Sequence, residues 1–343
     1  MNSIFQIWSD GDEVVNEYID AHSHFIPRSM LEFLEKKGAQ CDSPIIRDEK
    51  GRLFVVTPER PYGPIAPGFY DMGVRREFLE KNHIRRQVIA PPPFVFYYWI
   101  DSQRAYEPIR IENDAIAEVC AADPDTYLGI GTVPLQDTPL AVKECERIAQ
   151  LGLRGVEMGS NINGLDLDSE KLLPFFEAAE GLNLAILIHP NNGVGRDRLG
   201  NHHLRNLIGF PTDTTIAAAK LIFGGVLDRF PRLKICLGQG GGFLPYIIGR
   251  FDHGYQVRSE CRQYNAKPPS AYLRSFYYDT LIFAPKPLTL IVTSVGADRV
   301  MLGADFPFDM GAAAPLAVLQ TDPALSKEDM AMITGGTVTA FLG

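Results

Sequence analysis

The pattern that most restricts this chain is a repeat of form rather than of sequence: short apolar or β-branched runs alternate with longer stretches of helical period, eight times over. The runs fall near Glu17–Ala21, Arg86–Ala90, Tyr127–Val133, Gly155–Gly159, Ala185–His189, Lys234–Leu237, Phe276–Asp279 and Val300–Gly303. Helices are predicted between them over Asn113–Ala121, Thr138–Gln150, Leu172–Glu180, Thr214–Arg229, Phe243–Gln256 and Pro287–Val295. Such alternation specifies parallel strands joined by helical crossovers, and eight units close the sheet on itself. The expected fold is an α/β (β/α)8 TIM barrel, a single domain over residues 1–343. The length also accommodates two ordinary domains, but barrels of this class run past about 250 residues as one unit.

Residues 25–74 break the pattern, being rich in Pro and Gly and too long for an ordinary connection. They are expected to form an insertion that caps the barrel mouth. Within it Pro58, Pro61, Pro64 and Pro67 recur every third residue. That is the period of a polyproline II ligand for an SH3-like partner, although a rigid cap loop accounts for it without one.

Composition narrows the partners. With 45% hydrophobic and 22% charged residues the chain can bury a large core. Its 33 basic and 42 acidic residues give a formal charge of −9, the wrong sign for a protein whose main partner is nucleic acid or an anionic membrane. Cys41, Cys120, Cys145, Cys236 and Cys261 are scattered, with no Cys-x-x-Cys pair, and read as reduced thiols. No apolar run approaches the ~18 residues of a membrane span, and the start is acidic where a signal peptide is basic. The expected location is the cytoplasm.

The chemistry concentrates at strand ends. Asp20-Ala21-His22-Ser23-His24 closes the first run, and side chains two apart on a strand share a face, so His22 and His24 aim two imidazoles into one mouth. The fifth run ends in His189-Pro190, and the last is followed by Asp305. Barrel enzymes draw their catalytic residues from the C-terminal ends of different strands. Each of these residues alone fits a structural role. Together, three nitrogens and one oxygen form a shell suited to one divalent metal, Zn²⁺ by its donors.

Several motifs in order resemble the decarboxylase branch of the amidohydrolase superfamily, and within it the α-amino-β-carboxymuconate-ε-semialdehyde decarboxylase group. They are Ile19-Asp20-Ala21-His22-Ser23-His24, Phe96-Tyr97-Tyr98-Trp99, Gly129-Ile130-Gly131-Thr132-Val133-Pro134 and Gly224-Gly225-Val226-Leu227-Asp228-Arg229-Phe230-Pro231. Gly240-Gly241-Gly242, Gly249-Arg250-Phe251-Asp252-His253-Gly254-Tyr255 and Gly303-Ala304-Asp305-Phe306-Pro307-Phe308 follow. The resemblance implies one divalent metal, usually zinc, and nonoxidative loss of CO₂ from an aromatic or muconate-type acid. It also implies a homodimer in which Arg250 enters the neighbour's site. In the decarboxylase reading Arg250 holds a carboxylate, and Asp305 ligates the metal and relays a proton.

The chain departs from that pattern at the site itself. Gln239 stands where the family carries a base histidine, and an amide cannot take up a proton near neutral pH. Three readings follow: an engineered block, a natural chemistry in which the metal, Asp305 and His253 handle protons while Gln239 orients water or substrate, or a protein that kept the metal and gave up catalysis. Asn191 replaces the aromatic residue after His-Pro, and with Phe306 and Arg250 it is a candidate substrate contact. Arg52 and Arg60 are the two candidates for the cap's substrate arginine. His253 lies three residues beyond Arg250 on one helix, His202 and His203 sit in a loop after the fifth run, and His83 reads as exposed. The rival classes are a hydrolase or hydratase using the same site, since fold does not settle function, and a noncatalytic metal- or ligand-binding relative.

Overall fold

A computed structural model describes residues 18–191, 193–195 and 197–343. In chain order its strands are β1 (Tyr18–His24), β2 (Ile45–Arg47), β3 (Leu53–Val56), β4 (Pro61–Tyr62), β5 (Ile84–Ala90), β6 (Tyr127–Gly129), β7 (Gly155–Gly159), β8 (Ala185–His189), β9 (Lys234–Leu237), β10 (Phe276–Asp279) and β11 (Val300–Met301). Apart from β2, β3 and β4, each lies on one of the eight runs read from the sequence. Glu17, where the first run was expected to open, lies outside the described residues.

Two parallel sheets, β1-β5-β6 and β7-β8-β9-β10-β11, make the barrel wall. Single bridges, Gly131 to Val156 and Ser23 to Phe306, join their edges, so the eight strands close into a TIM barrel. Side-chain parity then divides inside from outside. On β8, Ile186 and Ile188 join the core under the helices, while Ala185 and Leu187 join Ile19, Val88, Ile130, Cys236, Tyr277 and Met301 inside. Val338, Phe341 and Leu342 of the C-terminal helix pack against this inner cluster. The barrel interior is therefore apolar toward the start of the strands, and its polar side chains gather at their C-terminal ends.

Thr138–Gln150 is helical as read, and helices over Leu173–Gly181, Leu244–Val257 and Pro285–Val295 match to within two residues. The segment Asn113–Ala121 is the second half of a longer helix, Ser102–Ala122. The helix expected over Thr214–Arg229 breaks into Phe210–Phe223 and Val226–Arg229. The cause is Gly225, at φ 70°, where a Cβ would come within 2.5 Å of the Tyr264 carbonyl oxygen.

Residues 25–74 fold as more than a loop. A helix (Arg28–Lys37) and the antiparallel sheet β2-β3-β4 enclose an apolar cluster of their own, with Met30, Leu34, Val55, Ile65 and Phe69 packed on Phe94, Val95 and Ile109. The four prolines do not form a polyproline II run: Pro61 sits in β4 and Pro67 opens a 3₁₀ turn. Their spacing serves the turns of the cap, and the SH3-like ligand reading is set aside. Buried Arg75 ties cap to barrel, donating to the carbonyls of Gly68 and His24 and to Ser23 Oγ and Gln87 Oε1.

Candidate active site

Four predicted side chains converge where β1, β8 and β11 end. Asp20 pins two of these segments together: its Oδ1 accepts the amides of His22 (3.1 Å) and Ala304 (2.9 Å), and its Oδ2 accepts Gln87 Nε2 (2.8 Å). Burial raises the Asp20 carboxyl to about 6 against those hydrogen bonds. Asp305 turns in from the last strand at φ 53°, its amide 2.7 Å from the His22 carbonyl. The imidazoles of His22, His24 and His189 stand with all three pairs of centroids 5.2 Å apart and their planes nearly perpendicular, at 76–89°. One potential ligand atom from each ring and one from Asp305 all lie within 4.8 Å of one another, the one such group among the described residues.

The group has the character of a cation site. Nε2 of His22 and of His189 are buried and make no hydrogen bond, which is costly unless something occupies the space they face. Asp305 Oδ1 is 2.9 Å from His24 Nε2 and 3.7 Å from His22 Nε2. Burial disfavours charge on His22, but the bond to Asp279 and the charges of Asp305, Asp279 and Glu157 outweigh it and hold the ring up at about 9. Burial and the neighbouring imidazoles keep His24 and His189 well below the ordinary histidine range. The lining thus draws positive charge to its centre while leaving two rings as neutral donors. Three imidazole nitrogens and a carboxylate fit a divalent metal.

Each ring is also held from behind. His22 Nδ1 donates to Asp279 Oδ2 at 2.8 Å, and His189 Nδ1 donates to the Pro190 carbonyl at 2.9 Å. His24 Nδ1 has the Pro91 carbonyl at 3.4 Å and Glu157 Oε1 at 3.7 Å. Sequence reading missed both Asp279 and Glu157. The signals were present: Asp279 ends a strand as Asp305 follows one, and Glu157 is a carboxylate in the middle of a buried strand. Asp279 Oδ2 also accepts the Gln239 amide (3.0 Å), and its Oδ1 accepts that of Gly240 (2.7 Å). These bonds hold a turn in which Gln239, Gly240, Gly241 and Gly242 all have positive φ. A Cβ at Gly242 would lie 2.1 Å from the Pro211 carbonyl oxygen, so the third glycine of that motif is required by space.

Above the group lies a cavity of about 470 Å³, walled by Tyr62, Phe94, Phe210 and Phe308 and reached by His189 and Asp305. Asn191 and Gln239 line it, and the side-chain oxygens of both are buried without a partner. Arg60 lines it too, its guanidinium 4.6 Å from the Tyr62 ring centroid, whereas Arg52 is bound to Asp48 by Nε at 2.6 Å. His203 reaches the rim, and His83 is exposed. Phe308 lines the cavity and Phe306, a candidate substrate contact, does not. Phe306 stacks on Phe78 at 4.2 Å, beneath the guanidinium of Arg75. Arg250 and His253 are exposed on the helix Leu244–Val257 and do not line this chain's own cavity.

The amidohydrolase family profile matches residues 19–343. The chain belongs to that family. This amidohydrolase is 34% identical to the 2-amino-3-carboxymuconate-6-semialdehyde decarboxylase of Dictyostelium discoideum over 95% of its own length and 91% of the relative's. Among solved structures it is similar to the 5-carboxyvanillate decarboxylase of Sphingomonas paucimobilis, with a TM-score of 0.82 and 25% identity over 95% of this chain and 98% of that one. It is also similar to a dihydroxybenzoic acid decarboxylase of Polaromonas crystallised with manganese and the inhibitor 2-nitroresorcinol, with a TM-score of 0.77, 25% identity, and coverage of 95% and 97%. No helix among the described residues of the amidohydrolase is long and apolar enough to cross a membrane.

Proposed function

We propose that the protein is a metal-dependent nonoxidative decarboxylase of a small aromatic or muconate-type carboxylic acid, with one Zn²⁺ held by His22, His24, His189 and Asp305. The observation that carries this reading is the pair of orphaned Nε2 atoms, of His22 and His189, that share one space with His24 and Asp305 beneath an aromatic-walled cavity. Nitrogen-rich donors of this kind suit zinc. Bound there, a divalent ion supplies Lewis acidity toward a substrate oxygen.

The chain's own groups account for the rest. Arg60 binds a substrate carboxylate by charge-assisted hydrogen bonds, and the rings of Phe94, Phe210 and Phe308 hold an unsaturated carbon skeleton and exclude water. The unpartnered oxygens of Asn191 and Gln239 accept hydrogen bonds from a substrate hydroxyl or amino group. Loss of CO₂ leaves an electron pair on carbon that must receive a proton. Gln239 cannot provide it, and the relay is assigned to Asp305 on the floor of the cavity, which takes up one proton from solvent, passes it to the carbon and is left a carboxylate again.

Residues 25–74 act as the cap of a single barrel domain over residues 1–343. The functional unit is a homodimer: the helix bearing Arg250 exposes Tyr246 and Val257, and Phe243, Phe283 and Leu290 extend the apolar surface beside it. This arrangement lets Arg250 serve a neighbour's cavity rather than its own. His253, exposed on the same helix, takes no part within its own chain. Five free cysteines fit residence in the cytoplasm.

The test measures metal content and product together. Purified protein should carry about one zinc per chain, and His22→Ala with His24→Ala should abolish it. Incubation with aromatic and muconate acids should release CO₂. A product heavier by one water identifies a hydrolase or hydratase, and full metal retention in the double variant overturns the ligand set.

A further inference from the structure

Glu157 is the one side chain that β7 sends into the barrel, because its inward neighbours two residues away, Gly155 and Gly159, have none. It is fully buried, opposite Leu187 of β8, whose side chain belongs to the inner apolar cluster. Neither of its oxygens makes a hydrogen bond. A buried carboxyl left this way is among the more expensive features a core can hold, so a role has to be found in what it faces. It faces His24, with Oε1 3.7 Å from Nδ1.

Of the three imidazoles, His24 is held least firmly from behind. His22 and His189 have partners on Nδ1 at 2.8 and 2.9 Å, whereas the Pro91 carbonyl is 3.4 Å from His24 Nδ1. On its other side, His24 Nε2 lies 2.9 Å from Asp305. Glu157 thus approaches the back of a ring whose front faces the centre, and it acts on that centre through the ring. We propose that Glu157 is a positioning residue for His24: its carboxyl faces Nδ1 from behind the ring and fixes the ring's plane, and beside a bound cation it stands ionised, adding negative charge behind the metal site as Asp279 does behind His22. Partners of this kind, beyond the ligands themselves, set metal affinity by about 10- to 100-fold.

This inference rests on the metal reading above, and its test separates the two. Zinc affinity is measured by competition with a chromophoric chelator, and melting is measured on chelator-stripped protein. Glu157→Gln keeps the shape and loses the charge, so it should weaken zinc binding about 10- to 100-fold without lowering the melting temperature of the stripped protein. Glu157→Asp keeps the charge but leaves a small void, so it should bind zinc more tightly than Glu157→Gln. If packing alone matters, the order reverses, because Gln fills the site and Asp does not. Binding by Glu157→Gln within twofold of the parent, or tighter than by Glu157→Asp, overturns the assignment. Should Glu157→Gln fail to fold, Glu157→Met, uncharged and of similar length, replaces it: zinc binding should weaken about 10- to 100-fold, and binding within twofold of the parent refutes the role. A parent protein that binds no zinc in the same titration overturns the metal reading, and this inference with it.

Discussion

His22 and Asp279 are joined end to end, imidazole Nδ1 to carboxylate Oδ2 at 2.8 Å, with both side chains about 1% exposed. Each further contact to that carboxylate is a donor: the amides of Gln239, Gly240 and Leu281. A side-chain amide cannot replace it, since whichever way that amide turned, its NH₂ would meet N–H groups. Asp279→Asn should therefore weaken metal binding by about 10- to 100-fold and also lower stability by about 1.5–3 kcal/mol, the worth of a charge-assisted hydrogen bond. Chelator competition and urea unfolding read the two effects. Unchanged values in both would remove Asp279 from the site.

The two candidate arginines of the cap make different predictions. Arg60 faces the cavity, while Arg52 is committed to Asp48. Arg60→Ala should raise KM about 10- to 100-fold, and Arg52→Ala should leave it within twofold. Steady-state CO₂ release distinguishes them. A larger effect at Arg52 would place the substrate carboxylate elsewhere.

The exposed apolar side chains near Arg250 predict the assembly. Light scattering at micromolar concentration should give about twice the 38.1 kDa chain mass, and Tyr246→Glu, at a residue 82% exposed, should shift it toward that of one chain. If Arg250 serves the neighbour, dissociation should lower activity together with mass. A parent protein already at 38.1 kDa would refute the dimer.

Glu112 gives a pH dependence away from the site. Both of its oxygens are buried without partners, and burial pushes its carboxyl well above the ordinary 4.5. The folded chain keeps a proton that the unfolded chain releases above that value, so stability is fully present below it and falls as pH rises toward the folded-state pKa. Glu112→Gln removes this slope. Relative to the parent, the variant should gain up to about 1.4 kcal/mol per pH unit across that window, read by urea unfolding at pH 5, 6 and 7. A constant difference would mean that Glu112 is already solvated or paired.

How far the sequence could be read depended on side-chain parity. On β8 the alternation of Ala185, Leu187 and His189 with Ile186 and Ile188 runs unbroken, so an inward imidazole at the strand end could be foreseen. Past the last strand that logic fails. Asp305 turns to φ 53°, and the residues after it no longer alternate, which is why Phe308 rather than Phe306 faces the cavity. The cap was opaque for a related reason: β2, β3 and β4 are two to four residues long, too short to show a period. Glu157 sits inside a run and Asp279 closes one, and in both the apolar neighbours dominate the pattern.

Gln239 poses the sharpest question about this chemistry. Its amide nitrogen is held by Asp279, its φ is 54°, and its side-chain oxygen is buried in the cavity without a partner. A residue held so firmly presents its side chain at a fixed place, and what it presents cannot titrate. If the reaction is organised around an amide, Gln239→His puts a titrating ring beside a divalent ion and leaves activity little changed or lower. If the position lacks only its base, the same substitution should raise turnover by the roughly 10² to 10⁴ that a general base contributes. The unpartnered acceptors on Gln239 and Asn191, both facing the cavity, favour the first outcome. CO₂ release from the acid panel, compared at equal zinc content and several pH values, separates the two, and a gain of a hundredfold or more in the histidine form would show that proton transfer belongs at this position.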